Sequence, residues 1–472
     1  MNNQNYEALV IGFGKGGKTL ASYLGNQGIE VAVIEQSKAM YGGTCINIAC
    51  IPSKALALAA EGAYKSKFDT FEEKEAYYQK SLAEKDELVS FLRQRNYDNL
   101  NNNPHVTVID GKASFITPNT VQVDKSNGED APLGIHAEKI FINTGSLPFM
   151  PAIEGLQESQ RIFTSTSLME LQQLPRKLVI IGGGYIGLEF ASIYAGFGSN
   201  VTLLERNETL LRSQDRDIAE AVKTALEKRG VQFLMGASAQ KIYDQDDRAI
   251  VEILDHENHQ KQLSANAILV AVGRVPNTLG LGLENAGIQV DARGFIVVDD
   301  FLRASVPNIW ALGDVNGGPQ FTYISLDDYR IVRGQLDGNT NNPRSLKDRL
   351  NIPYSIFIHP TLSNIGLSES EALQAGYQIQ VVKMPAAAVP RAQQLHETQG
   401  LLKAIVDTET GSILGCSLFC SDSSEVINVV QMAMQTGASY ETLRDSIYTH
   451  PSMTESLNDL LSQVQLGTVL PP

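Results

Sequence analysis

The sequence predicts an α/β fold in which one strand, turn, helix, strand unit occurs twice and a separate α+β domain follows. Three observations predict it. Short Val/Ile-rich runs of strand length lead directly into glycine-spaced turns. Both turns stand 23 positions ahead of an acidic residue. Beyond residue 351 the pattern changes to strands mixed with one amphipathic helix.

The first unit opens with the strand YEALVIG, under way by Tyr6, and continues through the turn GFGKGG to TLASYLGNQG, whose apolar spacing suits a helix ending near Gly28. IEVAVIEQ is its second buried strand and ends at Glu35, 23 positions after Gly12. RKLVIIGGGYIGLEFASIYAGFGSNVTLLER repeats the arrangement, with Glu205 23 positions after Gly182. A single G-x-G-x-x-G is weak evidence, whereas two complete units with equal Gly-to-Glu offsets make two Rossmann-like dinucleotide-binding domains. Between them lie a charged helical stretch, Ser53 to Asn102, and the strands NTVQVD and KIFINTG. AILVAVG and NIWALGDV follow the second unit, and the polar segment 339–351 marks the last boundary. YSIFI, LLKAIVD and ILGCSLF then read as strands and EVINVVQMAMQTG as a helix. The divisions expected are 1–149, 150–275, 276–350 and 351–472, with 276–350 returning to the first domain.

A chain of 472 residues has room for about three domains with sizeable cores. Its net charge of −15 repels phosphate backbones, and no Lys/Arg-rich run offers a local exception, so nucleic acid is not an expected partner. No signal peptide precedes the first strand and no apolar run approaches the roughly 18 residues of a spanning helix, so a cytoplasmic protein without a membrane partner is expected.

GFGKGGKT, Gly12 to Thr19, also reads as G-x-x-x-x-G-K-T, the loop of nucleotide hydrolases, which would need Lys18 on phosphate and Thr19 on Mg²⁺. The dinucleotide reading starts the helix near Gly14 and leaves Lys18 and Thr19 inside it with no phosphate duty. Glu35 and the second unit fit that reading and are unexplained by the other.

Four cysteines, Cys45, Cys50, Cys416 and Cys420, are too few for a disulfide scaffold. Cys45 and Cys50 stand in YGGTCINIACIPSK, directly after the first unit. Five positions along a regular helix separate Cα atoms by about 8.6 Å, beyond the roughly 7 Å that a disulfide spans. If the two pair, the helix must be distorted there, which suits a bond that opens and closes. The alternatives are inert thiols or a metal site, though no nearby His offers a third ligand. Cys416 and Cys420 lie in a strand-like run, where four residues span about 13 Å, and are expected as buried core residues.

The motifs GFGKGG, GGTCINIACIPSK, NTGSLP, GGGYIG, GRVPN, ALGD and HPSMTE, in this order along nearly the whole chain, resemble the FAD-dependent pyridine nucleotide-disulfide oxidoreductases. GFGKGGKTL, AMYGGTCINI, QFTYISLDDYRIVR and THPSMTESLNDL are more narrowly similar to bacterial reactive-chlorine-resistance flavoproteins, which include hypothiocyanous acid reductases. The resemblance implies an enzyme that is a homodimer, with 351–472 as the dimerisation domain, FAD on the first unit and NADH, or NADPH, on the second. It implies a small oxidant as substrate, most closely hypothiocyanous acid; lipoamide or glutathione disulfide reduction and Cu(II) reduction are the enzymatic alternatives, and a redox sensor without turnover is a non-enzymatic one. Three departures stand out: Ala49 replaces the usual glycine before the second cysteine, no cysteine follows Cys420, and Thr449 and Ser452 flank His450–Pro451 where lipoamide dehydrogenases carry Ala and Thr.

By resemblance, Gly12, Gly14 and Gly17 admit the FAD pyrophosphate, Glu35 takes the adenosine ribose, and Asp314, beside Gly313, takes the ribityl chain. Gly43 and Thr44, Gly111 and Ala113, Thr144 and Gly145, and Gly273 and Arg274 are further cofactor positions. Gly182, Gly184 and Gly187 serve the nicotinamide nucleotide, Tyr185 gates its pocket, and Glu205 favours the free ribose 2′-hydroxyl of NADH, a preference that Arg206 and Arg212 soften. Cys50 is the thiolate nearer the flavin and Cys45 the attacking thiol. Lys54 and Glu189 form an ion pair beside the flavin, while His450, oriented by Glu455, is the acid/base from the other subunit. Ser452 to Glu455 also reads as a helix capping box, which would explain Glu455 without chemistry.

Overall fold

The protein is described by a computed structural model for residues 2–66, 68–125, 131–338 and 343–465; residues 339–342 of the expected boundary segment lie outside the described residues. The chain forms two compact units. One comprises Met1–Leu56, Lys80–Phe149 and Gly273–Arg349, the other Ala57–Gln79, Met150–Val272 and Leu350–Pro472.

In the first unit a parallel sheet runs in the order Val106–Thr117, Val31–Glu35, Asn2–Ile11, Leu133–Ile142, Ile309–Ala311. Val31–Glu35 is buried throughout, as expected of an inner parallel strand covered on both faces. The long strands Val106–Thr117 and Leu133–Ile142 extend beyond this sheet, where Thr120–Lys125 joins them as an antiparallel meander. Helix Lys15–Asn26 buries Gly16, Gly17, Leu20, Ala21, Leu24 and Gly25, one stripe at helical spacing. The charged stretch after the cysteines is two helices, Cys50–Ser66 and Phe71–Asn101.

The second unit repeats the parallel architecture in the order Gln232–Met235, Asn200–Glu205, Lys177–Ile181, Ala267–Val270, Ile162–Phe163. Helix Tyr185–Phe197 is buried from Gly187 to its end, more than one sheet face can achieve. Its other side is covered by Ala57–Gln79: Gly196 lies against Ala60, and Tyr78 packs edge-on against Phe197. The region beyond Leu350 carries an antiparallel sheet ordered Tyr354–Ile356, Leu362–Gly366, Ile413–Phe419, Leu401–Asp407, Ile379–Pro385, with helix Ser423–Gln435 against it. Cys416 and Cys420 are buried in this core. Among the described residues no helix is long and apolar enough to cross a membrane.

Candidate active site

Gly12 leaves the first strand at φ +99°, a conformation closed to most side chains, and a Cβ there would run into the Asn143 carbonyl. Helix Lys15–Asn26 starts immediately, with Gly14 as its N-cap. Thr19 Oγ1 donates to the Lys15 carbonyl at 2.6 Å, a bond inside the helix. Two residues that the motifs do not mark hold this turn. The Gly17 N–H donates to Asn143 Oδ1 (2.9 Å) and the Gly16 N–H to Ser325 Oγ (3.0 Å), while Asn143 Nδ2 donates to the Leu312 carbonyl (2.6 Å). Glu35 returns to the same turn, accepting from the Phe13 N–H (3.1 Å) and the Ser37 N–H (3.2 Å). Burial pushes its carboxyl up to about 7, although those amides pull it down.

The second unit has the same construction. Gly182 sits at φ +109° and Glu205 accepts from the Gly183 N–H (2.9 Å), as Glu35 does from the residue after Gly12. A Cβ on Gly187 would run into the Gly182 carbonyl, so helix and strand pack closely there, whereas a Cβ on Gly184 meets nothing within 4 Å. That open space at a helix N-terminus is room for a phosphate to approach. Tyr185 stacks on Tyr354, ring centroids 5.6 Å apart and planes 17° apart, and Glu189 Oε1 accepts from the Phe357 N–H (2.9 Å).

Following the first unit's second strand, Gly42 (φ +96°) and Gly43 (φ +79°) turn the chain back, and Gly43 lies against Gly14 so closely that a Cβ would come 2.6 Å from the Gly14 Cα. A single helical turn, Thr44–Asn47, ends at Ile48 (φ −138°), and the long helix begins at Cys50. Cys45 and Cys50 therefore sit on separate helical segments, the distortion that a meeting of the two sulfurs requires. Cys45 is hydrogen-bonded to Cys50, and this bond together with burial raises Cys45 well above the ordinary thiol range. Cys50 Sγ is also 3.4 Å from Thr322 Oγ1. Asn47 fastens the turn: Nδ2 donates to the Tyr41 and Gly43 carbonyls (2.9 Å each), and Oδ1 accepts from Arg93 Nε (2.8 Å). Ala49 is not among the residues at positive φ, so a methyl group costs no backbone strain where glycine is usual. Lys54 lies on the same helix as Cys50.

Other expected cofactor positions gather at the ends of the first unit's strands. Asp314 Oδ2 accepts from Ser146 Oγ (2.7 Å), and Arg274 donates to both Ser146 Oγ (2.8 Å) and the Ser146 carbonyl (2.7 Å). The Gly313 N–H donates to Asp328 Oδ2 (2.5 Å), a wholly buried carboxylate. Thr144 Oγ1 is buried and bonds nothing, and Gly145 (φ +75°) and Gly273 (φ +131°) adopt backbone conformations that favour glycine. An orphaned hydroxyl among glycine-lined strand ends fits a polar cofactor such as FAD, which supplies the missing partner. Gly111 and Ala113 are strand residues; the Ala113 methyl is in the core, leaving only its main chain to touch a ligand.

His450 and Glu455 are joined through Nδ1 and Oε2 at 2.7 Å. The reciprocal bonds of the expected capping box form, Glu455 Oε1 accepting from the Ser452 N–H (3.1 Å) and the Glu455 N–H donating to Ser452 Oγ (3.3 Å), but they close a turn, because the helix itself starts only at Ser456. One carboxylate oxygen fastens the turn ahead of helix Ser456–Leu461 while the other holds the imidazole. The hydrogen bond from His450 draws Glu455 below the usual carboxylate range. With Nδ1 turned to Glu455, Nε2 is the ring nitrogen left for a substrate or thiol, on a histidine side chain that is 69% exposed.

The family model for pyridine nucleotide-disulphide oxidoreductases matches residues 6–328, and the model for that family's dimerisation domain matches residues 352–461. The chain is 49% identical over 460 residues to the probable pyridine nucleotide-disulfide oxidoreductase RclA of Escherichia coli (strain K12), covering 98% of this chain and 99% of that one. It is 33% identical to a mercuric reductase of Lysinibacillus sphaericus, over 97% of this chain and 82% of that protein. The solved Cu(II) complex of HOCl-induced flavoprotein disulfide reductase RclA from Escherichia coli matches with a TM-score of 0.91 at 48% identity, over 98% of this chain and all of that one.

Proposed function

The chain belongs to the pyridine nucleotide-disulphide oxidoreductases, and from that premise we propose that it reduces a small oxidant, hypothiocyanous acid or a related reactive chlorine species, through Cys45 and Cys50 in the cytoplasm. The observation that carries this reading is the hydrogen-bonded cysteine pair on an interrupted helix, against the glycine turn of the same unit. FAD, when bound, relays the electron pair of the nicotinamide nucleotide to this pair. Gly12, Gly14, Gly17, Glu35, Thr144 and Asp314 would hold it, and Gly182, Gly184 and Glu205 would hold NADH in preference to NADPH, because a carboxylate at that strand end repels a 2′-phosphate.

In the reduced protein Cys45 keeps its proton until a base removes it, since its bond to Cys50 opposes ionisation. His450, supplied by the partner subunit and oriented by Glu455, is that base. The Cys45 thiolate attacks the sulfur of hypothiocyanous acid, forming a Cys45 sulfenyl thiocyanate while the oxygen leaves as water with the proton from His450. Cys50, already a thiolate, then attacks Cys45 Sγ, expelling thiocyanate and closing the disulfide. One dithiol is oxidised by two electrons and one oxidant reduced by two. A substrate this small needs no peptide groove.

Cu(II) reduction by the same dithiol is the second reading, favoured by the Cu(II) complex of the similar Escherichia coli protein. NADH oxidation by the purified protein with hypothiocyanous acid, hypochlorous acid, oxidised glutathione, lipoamide and Cu(II), side by side, separates them. The proposal expects the highest kcat/KM with hypothiocyanous acid, and faster turnover of lipoamide or glutathione disulfide overturns it.

A further inference from the structure

Lys18, which the dinucleotide pattern leaves without a role, has one in the fold. Its side chain leaves helix Lys15–Asn26 half-buried and its ammonium donates to the Gly42 carbonyl (3.1 Å) and to Asn96 Oδ1 (2.5 Å) on helix Phe71–Asn101. Gly42 is the first residue of the turn that delivers Cys45. Two ties from the same long helix thus reach the redox turn, Asn96 through Lys18 and Arg93 through Asn47. We propose that Lys18 is a positioning residue for the redox chemistry, mooring the Gly42–Asn47 turn and placing a fixed cation where it favours the Cys45 thiolate. This rests on the reading of Cys45 as the attacking thiol.

A half-buried lysine could have been given an acidic partner, but both of its acceptors are neutral, so its charge remains available to a neighbouring group able to become an anion. The charged and titratable groups that act on it are Lys15 on its own helix and Cys45 on the turn, while Arg93 of the long helix is committed to Asn47. Burial, and then Lys15, lower Lys18 to about 8, while Cys45 pulls it up; reciprocally, Lys18 pulls Cys45 down. The ammonium is charged below about pH 8 and its help to Cys45 fades above it.

The test is the rate at which iodoacetamide alkylates Cys45 in the reduced holoprotein as a function of pH, read by peptide mass spectrometry. Lys18→Gln keeps hydrogen-bond donors and removes the charge; Cys45 alkylation near neutral pH should slow about fivefold and its profile move to higher pH. An unchanged rate and profile overturn the proposal. Lys18→Arg keeps a charge that does not titrate, so Cys45 should react faster than in the unmutated chain above pH about 8; equal rates there overturn it as well, and this variant decides if the Gln variant does not fold. Oxidant turnover is measured separately: an alkylation response without reduction of any oxidant defeats the proposed function and leaves the role of Lys18 standing.

Discussion

On the proposed function Cys45 and Cys50 have different duties, and their surroundings differ. Proton loss from Cys45 is opposed by its bond to Cys50 and by burial and eased by the Thr322 hydroxyl, which also lies 3.4 Å from Cys50 Sγ. On the proposed assignment Cys50→Ser abolishes both the long-wavelength thiolate-to-flavin absorbance and NADH-dependent reduction of the oxidant; a serine variant that retains full turnover sinks it. Glu35 offers a pH test. Its folded pKa of about 7 exceeds the ordinary 4.5, so within that window the folded chain holds more protons than the unfolded one, and stability falls as pH rises through it. Thermal unfolding of the flavin-free protein should show that decline, and Glu35→Gln should flatten it. Equal slopes in the two proteins remove Glu35 as the cause.

The repeated strand, turn, helix element makes a sharper distinction between packing and binding. Gly187→Ala forces helix Tyr185–Phe197 away from the Gly182 turn, and overpacking of this kind costs about 1–3 kcal/mol. Gly184→Ala adds a methyl group to open space. The first should lower the unfolding temperature and slow flavin reduction by NADH; the second should slow flavin reduction at unchanged stability, as followed by stopped-flow absorbance and calorimetry. Loss of bound flavin in either variant would argue against assigning this unit to the nicotinamide nucleotide. The two elements are legible in the sequence because Val/Ile strands and glycine spacing are local signals, as are the cysteine spacing and the His450–Glu455 offset. Asn143 is not, since it meets Gly17 across 126 residues, nor is Ser325, which meets Gly16 across 309. The transfer of Ala57–Gln79 to the second unit leaves no mark in composition either; it is visible only once Ala60 is seen against Gly196.

At the scale of the molecule the proposed chemistry requires a second copy. Cys45 and Cys50 belong to one compact unit and the His450–Glu455 dyad to the other, within the part of the chain that matches the family's dimerisation domain. If each site takes Cys45 from one subunit and His450 from its partner, mutants of the two residues must complement. A Cys45→Ser homodimer has no attacking thiol. A His450→Ala homodimer has no base, and its oxidative half-reaction should be slow while flavin reduction by NADH is nearly intact. Random reassociation of equal amounts makes about half of the dimers mixed, and each mixed dimer carries one site with both defects and one with neither. Turnover should therefore recover to about a quarter of the unmutated rate. With both residues drawn from a single subunit, every site in the mixture carries one defect and no recovery occurs. The complementation thus decides between a shared and a self-contained site without reference to which oxidant is the physiological one.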